Sequence, residues 1–341
     1  MNSSHNQPQN EFPWNCVADI ALGKPVDFSN LAHGILIALI VIHAVTCPMT
    51  ILSNLLVMIA VKTKVRLQSM SNIALACLAS TDLMVGLVGQ PLLIAVTVNL
   101  LKTTVEACSL QTAVKFFAHF FMFASFIHLF LITMDRCIAI TRPYVYIQAV
   151  TKARVLTGTA LAWTLTVIIH IVFFIDHGLF EVINSVLVSA FIAIILLCNA
   201  IIYREARRHE KQIASQQVDA ATRENFLSQK RAFKLTLTII AFVIISFMPM
   251  VIFRISLECL KDIVTLGTLW AIRAAASSLA VLNSFVNPLI YYLRLRQFRV
   301  ALIELLMRKN RNEADEFERK IFGSNVVANR ELIQRREGGE P

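Results

Sequence analysis

Apolar residues along this chain fall into long blocks and do not alternate with polar ones. Seven blocks stand out, at about 34–61, 70–98, 109–140, 153–175, 180–206, 231–258 and 267–293. Each is long enough to cross a bilayer as a helix, which takes about 20 residues. Backbone polar groups in lipid must be satisfied inside one helix or within a closed barrel. Runs such as "VIIHIVFFI" and "FIAIILLC" lack the period of two that a barrel strand needs. The pattern therefore predicts an all-α protein, a seven-transmembrane helix bundle spanning residues 31–293.

The connections are short, so neighbouring helices should run antiparallel. The longest, about 207–230, is charged, lacks Pro and Gly and is rich in helix formers. The fifth and sixth helices should therefore extend beyond the membrane there. After the last block, "RLRQFRVALIELLMRK" puts Leu295, Phe298, Leu302, Leu305 and Leu306 on one helical face with Arg and Lys opposite. This predicts a short amphipathic eighth helix over 294–309, with its basic side chains on the anionic headgroups of membrane lipids. Residues 310–341 are charged and read as a disordered cytosolic tail. Residues 1–30 are polar, with neither a basic start nor an apolar core, so they read as an extracellular segment, with the first helix as targeting element. No internal repeat of the transporter kind is visible.

Composition agrees: 56% of residues are hydrophobic and 16% charged, with a mean hydropathy of +0.64. The net charge of +10 would suit nucleic acid if it were spread over a surface. It is confined instead to one set of connections. Lys62, Lys64 and Arg66, then Arg142, Lys152 and Arg154, then Arg204, Arg207, Arg208 and Lys211 follow the first, third and fifth blocks. The opposite connections hold little beyond Lys24, Lys102 and Lys261. This is the positive-inside bias, and it predicts a multi-pass plasma-membrane protein with its N-terminus outside and C-terminus in the cytosol. Nucleic acid drops out as a partner. Of the cysteines, Cys47, Cys77, Cys137 and Cys198 sit in or near the blocks as small apolar fillers. Cys16, Cys108 and Cys259 lie outside, where at most one pair can form. "NSS" makes Asn2 a glycosylation sequon.

Against this apolar background a few polar residues stand out. Asp82 lies near the middle of the second block, where an ionisable side chain must face the interior and be paired or solvated. It is either a structural acid bonded to nearby hydroxyls or a cation or water site made with Ser125, Asn283, Ser284 and Asn287. Pro288 removes a hydrogen bond from the seventh helix, Asn287 precedes it, and Tyr291 follows one turn on. Pro249 is a second hinge, in the sixth. Asp135 and Arg136 close the third block side by side. They could be a plain interfacial anchor or a pair that opens.

In order along the chain, "SNLLV" with Asn54, "LASTD" with Asp82, "DRC" at 135–137, Trp163, "NPLIY" at 287–291 and Phe298 resemble the motifs of the rhodopsin-like G-protein-coupled receptors over roughly residues 31–308. The resemblance implies a receptor that binds an extracellular ligand and activates a heterotrimeric G protein. Arg136 would be held by Asp135 in the inactive state, and Tyr203 and Tyr291 would support the active one. Asp82 and its neighbours match the family's sodium site, which makes sodium the one ion expected as a modulator. Several departures matter. Cys137 replaces the usual tyrosine. "SFMP" puts Phe247 where the family has tryptophan. Gln229 stands where an acid often faces the third-helix arginine. The fifth block has no proline, and the loop before it has no cysteine. Those last features, with the short second outer loop, resemble the melanocortin, lysolipid and cannabinoid branch.

Two ligand classes are disfavoured by the same likeness. Val281 stands at the retinal-lysine position, so no retinal is expected, and Ala118 stands at the amine-binding Asp position. Lys115, Arg254 and Arg273 approach the outer mouth. Lys115 lies about 30 Å along the helix from Arg136, and His119 should line the same pocket. Three cations would suit a carboxylate or phosphate. Glu258, Asp262, Asp176, Glu181 and Glu106 could instead neutralise them locally. The chain reads as a receptor and not an enzyme, since no nucleophile–base pair is suitably placed. A transporter or channel, or a receptor-like subunit without its own ligand, is the alternative.

Overall fold

A computed structural model describes residues 28–102, 106–215, 220–260 and 263–323. Four of the spans begin on a side-chain cap. Ser29, Ser69, Thr151 and Thr265 cap the first, second, fourth and seventh spans by accepting from a backbone N–H three residues on. The spans are Asn30–Thr63, Met70–Leu101, Glu106–Thr141, Lys152–Ile175, His177–Ser215, Ala220–Leu260 and Leu266–Arg294. Their limits fall within a few residues of the apolar blocks, apart from the longer facing ends of the fifth and sixth. Six helices among the described residues are long and apolar enough to cross a membrane, and Leu237–Phe253 is a shorter apolar stretch of the sixth.

The second span is not continuous α-helix. A π turn at Val85–Gly89 precedes Gln90, whose N–H reaches back to the Val85 carbonyl. Pro91 follows, with no N–H to donate, and the wider turn accommodates that missing donor. The first two spans meet closely at the same level. A Cβ on Gly86 would come within 2.9 Å of Ile51 Cγ1, so only glycine fits.

The main core lies toward the half of the bundle that carries the surface helix. Val57, Leu78, Ile132, Ile239, Val243, Ile290 and Tyr291 pack with Phe298 of the surface helix Arg296–Leu306. A second cluster of Phe123, Ile127, Ala162, Ile169 and Phe180 joins the third, fourth and fifth spans. Large apolar side chains such as Leu31, Val41, Leu161, Phe174, Val186 and Ile255 stay exposed on the outer faces of the bundle. That is the arrangement lipid calls for, because an outward Leu costs nothing in a hydrocarbon solvent.

Two expectations need correction here. Residues 311–323 are not disordered: a tail helix, Arg311–Glu318, follows the surface helix and runs into a π turn, Arg319–Gly323. Asn310 and Glu313 form a reciprocal capping box at its start. Arg308, at φ 51°, makes the left-handed bend that lets it double back. The second correction concerns Arg296 and Arg299, which do not point to lipid. They bond to Asp315 and Glu318 of the tail helix. A capping box, and ion pairs from Arg296 and Arg299 to Asp315 and Glu318, outweighed the charged composition that suggested disorder.

Candidate functional site: a buried carboxylate and an inner arginine

Asp82 is fully buried. Three neutral donors reach it: Ser284 Oγ at 2.7 Å and Ser125 Oγ at 3.4 Å to Oδ1, and Asn287 Nδ2 at 2.8 Å to Oδ2. Ser125 also shares a hydrogen bond with Thr81 at 3.2 Å. Asn54 donates to the Ser284 carbonyl at 3.0 Å and so ties the first span to the seventh. Second, third and seventh spans thus converge on one acid, next to Pro288. The sequence-predicted set of Asp82, Ser125, Ser284 and Asn287 is one cluster, and Asn283 joins it along the wall of a small cavity.

That cavity holds about 10 Å³ and is lined by Ser125, Phe126, Phe247, Asn283 and Asn287 among others. It is near the lower limit for one water. The Oδ1 atoms of Asn283, Asn287 and Asn54 are buried without a hydrogen-bond partner. A carboxylate plus hydroxyl and amide oxygens is the donor set of a hard cation. The residues present therefore fit a sodium ion, which would supply the positive charge that neutral donors cannot.

At the end of the third span, Arg136 is buried and bonds to Asp135 through Nε at 3.0 Å and through Nη2. Ser71 Oγ reaches the same carboxylate at 3.5 Å. Sequence reasoning missed Tyr146. Its hydroxyl accepts from Arg136 Nη2 at 3.5 Å, from a loop helix at Pro143–Ala149. Proline at the first position of that helix was the available signal. Burial, and then the Asp135 charge, push the Tyr146 phenol above its ordinary range, so at neutral pH it stays protonated.

Tyr203 and Tyr291 are not together. Tyr203 is 48% exposed and binds its own neighbour, Arg207 Nε, at 3.1 Å. Tyr291 is fully buried against Phe298, ring centroids 6.1 Å apart, with its hydroxyl unpartnered. Phe247 packs on Phe126 at 5.1 Å, and both rings line the small cavity beside Ser125. Pro249 and Pro288 both lie inside their helices.

At the opposite end of the bundle, Arg273 stacks over Trp270 at 5.6 Å. His119 meets Phe180 edge-on at 5.7 Å. His170 is surrounded by Phe116, Phe120, Phe123 and Phe180 at 5.1–5.9 Å, a density of rings that spacing alone did not reveal. His128 is structural, bonded to the Ala124 carbonyl at 2.7 Å. The side chains of Lys115, Ala118, Arg254, Cys108 and Gln229, and the segment with Asn2 and Cys16, lie outside the described residues. Cys259 is free and exposed.

A family model for "7 transmembrane receptor (rhodopsin family)" matches residues 53–185 and 176–291. The chain belongs to this family. It is a multi-pass membrane receptor of the G-protein-coupled class, and the family is one of receptors, not of enzymes. Similar proteins include the muscarinic acetylcholine receptor M5 of Rattus norvegicus, 35% identical over 153 residues, covering 43% of this chain and 28% of that receptor. The 5-hydroxytryptamine receptor 2B of Dichotomyctere fluviatilis is 34% identical over 122 residues, 36% of this chain and 26% of its own. The muscarinic acetylcholine receptor M3 of Sus scrofa is 31% identical over 121 residues, 35% and 20% respectively. The chain thus matches under a third of each of these relatives.

Proposed function

We propose that this receptor binds a ligand from outside the cell and activates a heterotrimeric G protein, with Arg136 as the switch. What carries the reading is Arg136 closed onto Asp135 and Tyr146 at the inner end of the third span. A charged side chain held by its own neighbour can be handed to a partner at little cost, and that difference biases a two-state bundle. Tyr203, turned outward onto Arg207, and Tyr291, buried apart from it, fit the inactive member of that pair. Pro249 and Pro288 would be the hinges, and Phe247 the residue that senses ligand above the cavity. Sodium at Asp82, Ser125, Asn283, Ser284 and Asn287 would favour the inactive state.

For the ligand, the relatives' names point to acetylcholine and 5-hydroxytryptamine, but Ala118 offers no carboxylate to an amine. We therefore favour an anionic small molecule or lipid, drawn to Lys115, Arg254 and Arg273 beside His119. The loop and fifth-helix departures fit the melanocortin, lysolipid and cannabinoid branch. The test is G-protein dissociation with an anionic compound library in wild type, Arg254→Ala and Arg273→Ala. Hits lost in both variants with basal signalling intact support the anion pocket. Hits that survive both, or come only from cations, refute it.

A further inference from the structure

Cys137 and Cys198 read from the sequence as apolar fillers, but the fold brings their sulfurs together. The Cys198 thiol, buried on the fifth span, donates to Met134 Sδ of the third span at 3.6 Å. Cys137 lies three residues after Met134, on the same helical face, and its thiol interacts with that of Cys198. Ile140 and Ile202 form an apolar seam between the two spans, with Cys137 packed against it. A thioether is a weak acceptor, so the Cys198 proton is held loosely there. Among the described residues no His, Asp or Glu completes the two cysteines as a third ligand. The set that converges beside Arg136 is therefore two thiols and a thioether.

We propose that Met134, Cys137 and Cys198 form a binding site for a soft monovalent metal ion, copper(I), which bridges the third and fifth spans. The donors decide the ion. Zinc is held by thiolate, imidazole and carboxylate, usually four of them. A set of three sulfurs, one of them a thioether, selects copper(I) instead. A metal bonded to sulfur at about 2.3 Å keeps its sulfur ligands about 3.8–4.0 Å apart. Met134 and Cys198 already stand at 3.6 Å, so little movement is needed. Binding releases the two thiol protons and leaves one negative charge on the loaded site. The positive-inside bias predicts that this end of the bundle faces the cytosol, where thiols stay reduced and a disulfide between the two is disfavoured. The ion would clamp the third and fifth spans one residue from Arg136. That consequence rests on Arg136 as the switch, whereas the site itself does not.

The experiment uses the full-length receptor in lipid nanodiscs without oxygen, with copper(I) added as its acetonitrile complex against a copper(I) chelator. Wild type should retain one ion more than Cys137→Ser or Cys198→Ser, since the remaining cysteines are the same in all three. Met134→Leu should keep that ion with about 10–100-fold lower affinity, the usual cost of losing a supporting partner. X-ray absorption of loaded wild type, which needs no variant to fold, should show copper bonded to sulfur alone. The proposal is overturned if wild type retains no more copper than the cysteine variants, if nitrogen or oxygen fills the copper shell, or if Met134→Leu binds as tightly as wild type. A Cys137–Cys198 disulfide in receptor taken from cells with its thiols blocked overturns it in favour of a redox pair. Basal G-protein activation that copper lowers in wild type and not in Cys137→Ser supports the clamp. Copper bound without that change overturns the clamp and leaves the site standing.

Discussion

Asp82 and Glu304 are both buried acids, yet they sit in opposite electrical settings. Glu304, in the surface helix, is bonded by Lys64 at 2.5 Å and by Arg66, both from the connection between the first two spans. Asp82, in mid-bundle, has hydroxyl and amide donors alone. A carboxylate with two cations of its own is complete and serves as a fastener. A carboxylate with only neutral donors is short of positive charge, and a mobile cation or proton can supply it. The first kind of site holds a structure together, and the second lets surroundings change it.

The largest effect that would break this comparison is at Asp82. Asp82→Asn keeps the shape but removes the charge, so sodium sensitivity of signalling should vanish while the receptor still reaches the surface. Dose–response curves in sodium and in a bulky organic cation would check this. Next in size is Arg136→Ala, which should abolish G-protein activation without loss of surface expression. Glu304→Gln should leave signalling chemistry intact and cost about 1.5–3 kcal/mol of stability, the usual worth of a hydrogen bond to a charged group. Thermal unfolding in detergent is the measurement.

The smallest effect sharpens the contrast through pH. Burial alone would raise the Glu304 pKa, but Lys64 and Arg66 overcome it and hold the group below its ordinary 4.5. Its stabilisation is therefore complete above about pH 4.5 and fades as pH falls through the lower folded value. The stability gap between wild type and Glu304→Gln should be flat near neutrality and close on acidification. A gap that widened in acid would contradict the ion-pair account.

Much of this was legible in the sequence. Seven apolar blocks gave the bundle because the membrane imposes helix length directly. Asp82, Ser125, Ser284 and Asn287 could be grouped in advance because each is polar where polarity is costly. The contacts that escaped are tertiary ones outside the apolar blocks. Nothing local ties Glu304 to Lys64 and Arg66, more than two hundred residues earlier. The tail helix was hidden by its charge, although Asn310 and Glu313 carried its start signal. Tyr146 was overlooked because the loop around it was read for charge and not for its own proline-started helix.

The central claim is that Arg136 transmits a state set in part at Asp82. The most direct test is basal G-protein activation in membranes holding wild type, Asp82→Asn and Arg136→Ala at matched levels, with and without sodium. The account predicts that removing sodium raises activation in wild type alone, with Asp82→Asn unresponsive to the ion and Arg136→Ala silent throughout. A sodium response that persists in Asp82→Asn, or activation that persists in Arg136→Ala, would contradict it.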